Sequence, residues 1–187
     1  MRTKRSRTAA LVAAGVVTVV LAGCWPYDSR MESALGGSAA DSRTSGLSDA
    51  EVATLVWMVE EEKLAHDVYV VLGRQYDMPI FTNIAESETR HHDAVAGLLD
   101  TYGVDDPSAD TGLGEFDDPT LQTLYDRLVA QGGQSLADAF AVGVLIEQAD
   151  ITDLQAAIEE STHADIDQVY GNLLEGSRQH LEAFSSH

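Results

Sequence analysis

Four separated stretches of this chain place acidic or imidazole side chains where a helical core stripe should be apolar. They are Glu62, the pair Glu88 and His91, the pair Glu147 and Asp150, and His180. A buried carboxylate without a partner costs several kcal/mol, and four of them beside two imidazoles leave uncompensated negative charge inside a core. Cations among them would supply the missing charge, and a two-metal site within a helix bundle is the arrangement that does so. The metal-free alternative is a polar network in which carboxylates pair with imidazoles and the excess acids keep their protons through strongly raised pKa values.

Glu88 and His91 form a Glu-x-x-His pair, which on a helix sets both side chains one turn apart on one face, so that one ion can be reached by both. Mixed carboxylate and imidazole donors suit iron, manganese or zinc, and the lack of thiolates argues against copper(I) or iron-sulfur chemistry. Tyr69 and Tyr170 could donate to the ligand carboxylates or be core aromatics. His66, one turn after Glu62, is open among three roles: outer partner of a carboxylate, a neighbour that orients a ligand, or a ligand. Glu60 and Glu61 point to other sides of the first helix than Glu62 and are expected to be solvated, with Glu61 the fallback ligand. His92, His163 and His187 are expected on the surface.

The elements that must position these residues are four long helices. Ser48-Asp49-Ala50-Glu51 fits a capping box, and the helix it opens runs to about Tyr76 with Leu55, Val59, Glu62, Tyr69 and Leu72 along one stripe. Asp77-Met78-Pro79 breaks it. The second, about Ile80 to Tyr102, carries Ile84, Glu88, His91, Val95, Leu98 and Tyr102 in three-four spacing and stops at Gly103. Val104 to Asp118 is loop by its Asp, Gly and Pro content, and Pro119 to Gln131 is a short helix ended by Gly132-Gly133. The third long helix runs from the N-cap Ser135 to about Ser161, with Phe140, Val144, Glu147, Ile151, Leu154 and Ile158 inward. The fourth, about Asp165 to Phe184, aligns Leu173, Ser177, His180 and Phe184. The expected fold is all-α: a ferritin-like four-helix bundle whose long crossover between helices 2 and 3 contains a short extra helix.

Residues 1–23 precede this fold. Arg2, Lys4, Arg5 and Arg7 stand before an apolar run from Ala9 to Ala22, the layout of a secretory signal, and the run is shorter than the roughly 20 residues of a spanning helix. Leu21-Ala22-Gly23-Cys24 resembles the lipobox of bacterial lipoproteins, which implies lipidation of Cys24 and an exported protein held on the cell membrane, facing away from the cytoplasm. An ordinary signal peptide or a single anchor helix are the alternatives. Cys24 is the only cysteine, so no disulfide is expected. Residues 24–46 read as a Ser-, Gly- and Asp-rich tether, and residues 47–187 as the bundle domain. The chain has 31 acidic against 11 basic residues, four of the latter in the leader, and no basic cluster follows residue 7, which excludes nucleic acid as a partner.

The segment Glu62-Lys63-Leu64-Ala65-His66-Asp67-Val68-Tyr69 resembles the first-helix motif of rubrerythrin, in which the ligand Glu is followed by Ala three residues on and Tyr seven on. Glu88-Thr89-Arg90-His91 is similar to its second-helix Glu-x-x-His, and Glu147 and Asp150, after Gly143, resemble its third-helix ligand and the second acid one turn later. From Leu47 to Phe184 the chain also resembles ferritin-like proteins of the DUF2202 type, including Glu61 to Ala65, Gly143 to Ile151 and Gly176 to Leu181. The resemblance implies a di-metal carboxylate centre, two iron ions first and manganese or zinc as alternatives. One departure stands out: Ser177-Arg178-Gln179-His180 replaces a second Glu-x-x-His, and Asp150 could supply what Ser177 lacks. Glu62, Glu88 and His91 would then hold one ion and Glu147, Asp150 and His180 the other, with Glu88 and Glu147 bridging. The implied chemistry is oxidation of Fe(II) or reduction of peroxide or dioxygen, drawing on an external electron donor. The expected partners are metal ions, the membrane through Cys24, and a second copy of the chain in a homodimer. A non-catalytic metal-binding or interaction module is the alternative.

Overall fold

Helix formation begins where the capping box is written. The Ser48 side chain accepts from Glu51 N while the Glu51 carboxylate accepts from Ser48 N, opening α1 (Asp49–Tyr76). The computed structural model describes residues 46–187; the leader, Cys24 and the tether apart from Gly46 lie outside the described residues. Asp77, with φ 51°, closes α1 in the left-handed conformation, and Pro79 opens α2 (Pro79–Tyr102). Gly103, φ 67°, ends α2. A crossover then leads to α3 (Pro119–Gly132), capped by Asp118, followed by α4 (Leu136–Glu160), capped by Ser135, and α5 (Ala164–Ser185). Among the described residues the fold is all-α, with five helices, no strand, and no helix long and apolar enough to cross a membrane.

Helix α1 packs against α2 and α4, α5 packs against α4 and α2, and the short α3 lies on α1 and α4. This places α1 under a second layer, so every residue from Trp57 to Ala65 is buried. The expectation that Glu60 and Glu61 are solvated is therefore wrong: they are 7% and 3% exposed. The physical reason is the crossover, which wraps the outer side of α1 and is clamped there. Lys63 Nζ donates to Asp67, to Gly112 O (2.9 Å) and to Glu115 O (3.2 Å), and lies 4.3 Å over the Phe116 ring. Asp67 also accepts from Gly114 N and meets His66 Nδ1.

On α4 the inward stripe is rotated from the expected one. Ala139, Val142, Gly143, Ile146, Glu147, Ala149, Asp150, Leu154 and Ala157 are buried, whereas Phe140, Val144, Ile151 and Ile158 flank them, half-buried. Small residues hold the centre because neighbouring side chains press there: a Cβ on Gly143 would stand 2.7 Å from the Phe184 ring. Phe184 in turn packs on Tyr69 and Phe81, with centroids 5.0 and 5.4 Å apart, an aromatic floor beside the polar centre.

Candidate metal centre

Each of the four long helices delivers at least one polar side chain to the middle of the molecule. Glu62 from α1, Glu88 and His91 from α2, Glu147 and Asp150 from α4, and His180 from α5 are all buried or nearly so, the five other than His91 at 8% exposure or less. Glu88 stands between the imidazoles. Its Oε2 lies 2.8 Å from His91 Nδ1 and its Oε1 2.9 Å from His180 Nδ1. Glu62 Oε2 reaches His91 Nδ1 at 3.4 Å, and Glu147 Oε2 reaches His180 Nδ1 at 3.5 Å. The two rings face one another with centroids 5.4 Å apart. Glu88, His91 and His180 each offer a ligand atom within 4.8 Å of the others, a group that could hold a metal ion.

Although these nitrogen-to-oxygen distances are short, neither imidazole Nδ1 completes a hydrogen bond, and Glu88 Oε1, Glu62 Oε1 and Asp150 Oδ1 also lack partners while shut from solvent. The N–H directions miss the oxygens. Donors that share an ion behave this way: two ligands each about 2.1 Å from one metal and at right angles to it stand about 3.0 Å apart without pointing at each other. The donor set thus fits a divalent cation on both geometry and chemistry.

Electrostatics tell the same story. Burial would raise the Glu88 carboxyl, but His180 and His91 outweigh it and hold it down at about 2. Burial would lower the imidazoles, yet the carboxylates around them raise His91 to about 10 and His180 to about 9. Glu62 and Glu147 are pushed up to about 8 and about 7, first by burial and then by neighbouring carboxylates that the imidazoles only partly offset. Burial and the charges of Glu62, Glu61 and Glu147 lift Asp150 well above the carboxylate range. Without a cation the surplus acids are held neutral by protons.

The remaining sequence candidates separate clearly. Tyr69, fully buried, donates to Glu147 Oε1 at 2.6 Å and so orients a ligand. Ser177 donates to Leu173 O and eases the charge on Asp150. His66 meets Asp67 and belongs to the crossover clamp. Tyr170 lies toward Glu51, its hydroxyl unpaired. His92 and His163 are half-buried, not free on the surface: His92 meets Ser108 Oγ at 2.7 Å and His163 meets Glu51 at 2.9 Å. His187, exposed, stacks on Phe140.

Two residues beside the centre differ from the sequence reading: Glu61, expected to be solvated and only a fallback ligand, and Gly176, to which that reading gives no role. Glu61 is buried with both carboxylate oxygens unpartnered. The signal for it is Trp57-Met58-Val59, three consecutive apolar residues spanning just over half of the helix circumference, which marks a helix covered on more than one side. Gly176 is the other: a Cβ there would stand 2.6 Å from His91 Nε2, so the missing side chain is what lets the His91 ring lie against α5 with Nδ1 turned to the carboxylates.

The domain described as "Uncharacterized protein domain (DUF2202)" matches residues 51–187. The chain is 46% identical over 138 residues to "Uncharacterized protein MJ0754" of Methanocaldococcus jannaschii, covering 74% of this chain and 75% of that protein. The crystal structure of hypothetical protein MJ0754 from Methanococcus jannaschii superposes with a TM-score of 0.72 at 46% identity, over 74% of this chain and 79% of that one. A family match across nearly all the described residues, joined to this similarity in sequence and structure, makes the chain a member of the DUF2202 family.

Proposed function

We propose that the protein is a ferritin-like metal protein whose four long helices hold a di-metal carboxylate centre, with iron the first choice and manganese or zinc the alternatives. The observation that carries it is the pair of buried imidazole Nδ1 atoms, each within 3.5 Å of two carboxylate oxygens and hydrogen-bonded to none. The order of helices and the long crossover between α2 and α4 support the ferritin-like reading. Glu88, with one oxygen toward each imidazole, would be the residue shared between two ions.

A bound iron pair would supply one-electron chemistry for oxidising Fe(II) or reducing peroxide or dioxygen. The chain's own residues do the rest. Tyr69 holds Glu147 in place, Gly176 seats His91, and the Phe184, Tyr69 and Phe81 floor excludes water from one side. The leader and Cys24 give the reading its location, an exported lipoprotein on the membrane. Metal content of the purified protein against Glu88→Ala tests the centre, and repeated Fe(II) oxidation or peroxide consumption tests catalysis. A wild type without stoichiometric metal after growth with iron, manganese and zinc defeats the reading.

The depth of the ligands favours a second reading, in which the ion ties α1, α2, α4 and α5 together without turnover. Metal removal would then lower the melting temperature and change no reaction rate.

A further inference from the structure

Among the described residues, water meets the centre at its imidazoles. The side chains of His91 and His180 are 12% and 11% exposed, against 3% or less for those of Glu62, Glu88 and Glu147. Their Nδ1 atoms are shut from solvent, so the exposed part of each ring is its outer edge. The rings thus form a partition, with the carboxylates inside and water outside. One ring comes from α2 and the other from α5, and they stand near-parallel, 26° between their planes, at the seam of those two helices. The half-buried residues about one turn from each histidine, on its own flank of the helix, are Ser87 and Ala94 on α2 and Gly176 and Ala183 on α5, all small. A Cβ on Gly176 would stand 2.6 Å from His91 Nε2, so at that point the α5 backbone comes up against the ring. The other walls are thicker. Helix α1 is overlaid by the crossover and α3, and Tyr69, Phe81 and Phe184, each 1% exposed or less, close the side of Glu147.

We infer that small inorganic reactants enter the centre through the α2–α5 seam, between the His91 and His180 rings, with Ser87, Ala94, Gly176 and Ala183 as the rim of the entrance. The inference rests on the metal-binding reading of the centre and names the reactants that suit it: metal ions, peroxide and dioxygen, and not organic molecules of many heavy atoms. No hydrogen bond holds either ring at Nδ1, and side chains at a solvent edge change rotamer quickly, so a ring turns aside without the helices parting. Small residues at the rim leave room for that turn, and one large side chain there would pin the ring or cover the slot. The opening suits species of a few atoms, since Glu62 Oε1 and Glu88 Oε1 behind it are shut from solvent when the rings are in place.

The test uses the full chain with Cys24→Ser, which leaves an introduced cysteine as the only thiol. Ala94→Cys and Ala183→Cys put that thiol on the rim, one on each helix, and Gln155→Cys puts it on the exposed outer face of α4. Each protein is capped as a mixed disulfide with either methanethiol or a bulky naphthyl thiol, and Zn2+ uptake is followed by stopped flow against a coloured zinc indicator. At the rim the bulky cap should slow Zn2+ association and release alike, by about tenfold or more relative to the methyl cap, and leave Kd unchanged. At Gln155 the two caps should give equal rates. Equal rates for the two caps at the rim overturn the inference, as does equal slowing at Gln155. A bulky rim cap that weakens Kd without slowing association also overturns it, because the seam would then support the centre and not admit to it. A parent protein that takes up no Zn2+ defeats the proposed function, and the entrance with it.

Discussion

Replacing Gly176 with alanine separates the metal centre from the fold, because the two respond with opposite sign. The new Cβ would stand 2.6 Å from His91 Nε2 and 2.8 Å from Cε1. Ordinary contact begins near about 3.5 Å, so the ring must retreat by close to an ångström, carrying Nδ1 with it. Metal sites tolerate departures of about 0.2 Å in ligand distance, and disturbing the support of a ligand weakens metal affinity about 10–100-fold. With metal at about 1,000 times Kd, binding stabilises the wild type by about 4 kcal/mol, and a 100-fold weaker site by about 1.4 kcal/mol. For a domain of this size each kcal/mol moves Tm by about 3 °C, so the metal-induced shift should shrink from about 12 °C to about 4 °C. The metal-free protein should not lose stability: the clash falls on the end of a movable side chain, and alanine in a helix interior gains about 0.5–1 kcal/mol over glycine. The assay is thermal unfolding of both proteins with and without Zn2+ or Mn2+, with affinities from titration. A variant showing the full metal-induced shift would refute the seating of His91 by Gly176.

Four further outcomes follow from the same geometry. Metal-free stability should fall as pH rises from 5 to 8, since the folded state holds protons on Glu62 (about 8), Glu147 (about 7), Glu61 and Asp150 that the unfolded chain has already released. Glu88, held at about 2, loses its contribution only in acid, and His91 and His180, raised to about 10 and about 9, lose theirs from about pH 6.5 upward, which adds to the slope. Cation binding displaces these protons, and calorimetry in two buffers of different ionisation enthalpy should show net proton release and tighter binding at pH 8 than at pH 6; pH-independent binding would contradict the charge assignment. Lys63→Met should destabilise the protein by about 3–5 kcal/mol, because Asp67 keeps its buried charge without its cation, and the midpoint of chemical denaturation reads this directly. Tyr69→Phe should keep the fold and weaken metal binding about tenfold or more by freeing Glu147 Oε1, which a metal titration at fixed pH would show.

Where the chain punctuates itself, the sequence is a faithful guide. Ser48 with Glu51, Asp77 before Pro79, Gly103, Asp118 with Pro119, and Ser135 set the helix bounds through caps and breaks that act within a few residues. Glu88 and His91 are legible for a similar reason, since their three-residue spacing lies within one α2 face whose other members are apolar. The faces of α1 and α4 are harder to read, because packing against more than one neighbour removes the contrast between a wet and a dry side. On α1 the layer that covers Glu60 and Lys63 comes from residues about 50 positions away, and nothing local announces it. On α4 the stripe includes alanines and Gly143, which carry little hydrophobic signal, and Gly143 is required because Phe184 needs the space. Gly176 is silent in the same way, since its function is the absence of a side chain.

The run Glu60-Glu61-Glu62 shows how one helix turn can serve three environments. Successive residues are about 100° apart, so each acid meets a different neighbour. Burial raises Glu60 to about 7, helped by Asp118, Asp117 and Asp106 of the crossover, and Lys63 only partly relieves it. Glu61 meets the acids of α4, and Glu62 meets His91 of α2. An imidazole answers one of these charges, a lysine partly answers another, and Glu61 has neither beside it. A sequence that only needed a stable α1 would place leucine at such a position, since burying apolar surface there contributes stability and a lone buried carboxylate costs it. Glu61 therefore carries an electrostatic cost that the packing of α1 alone does not explain.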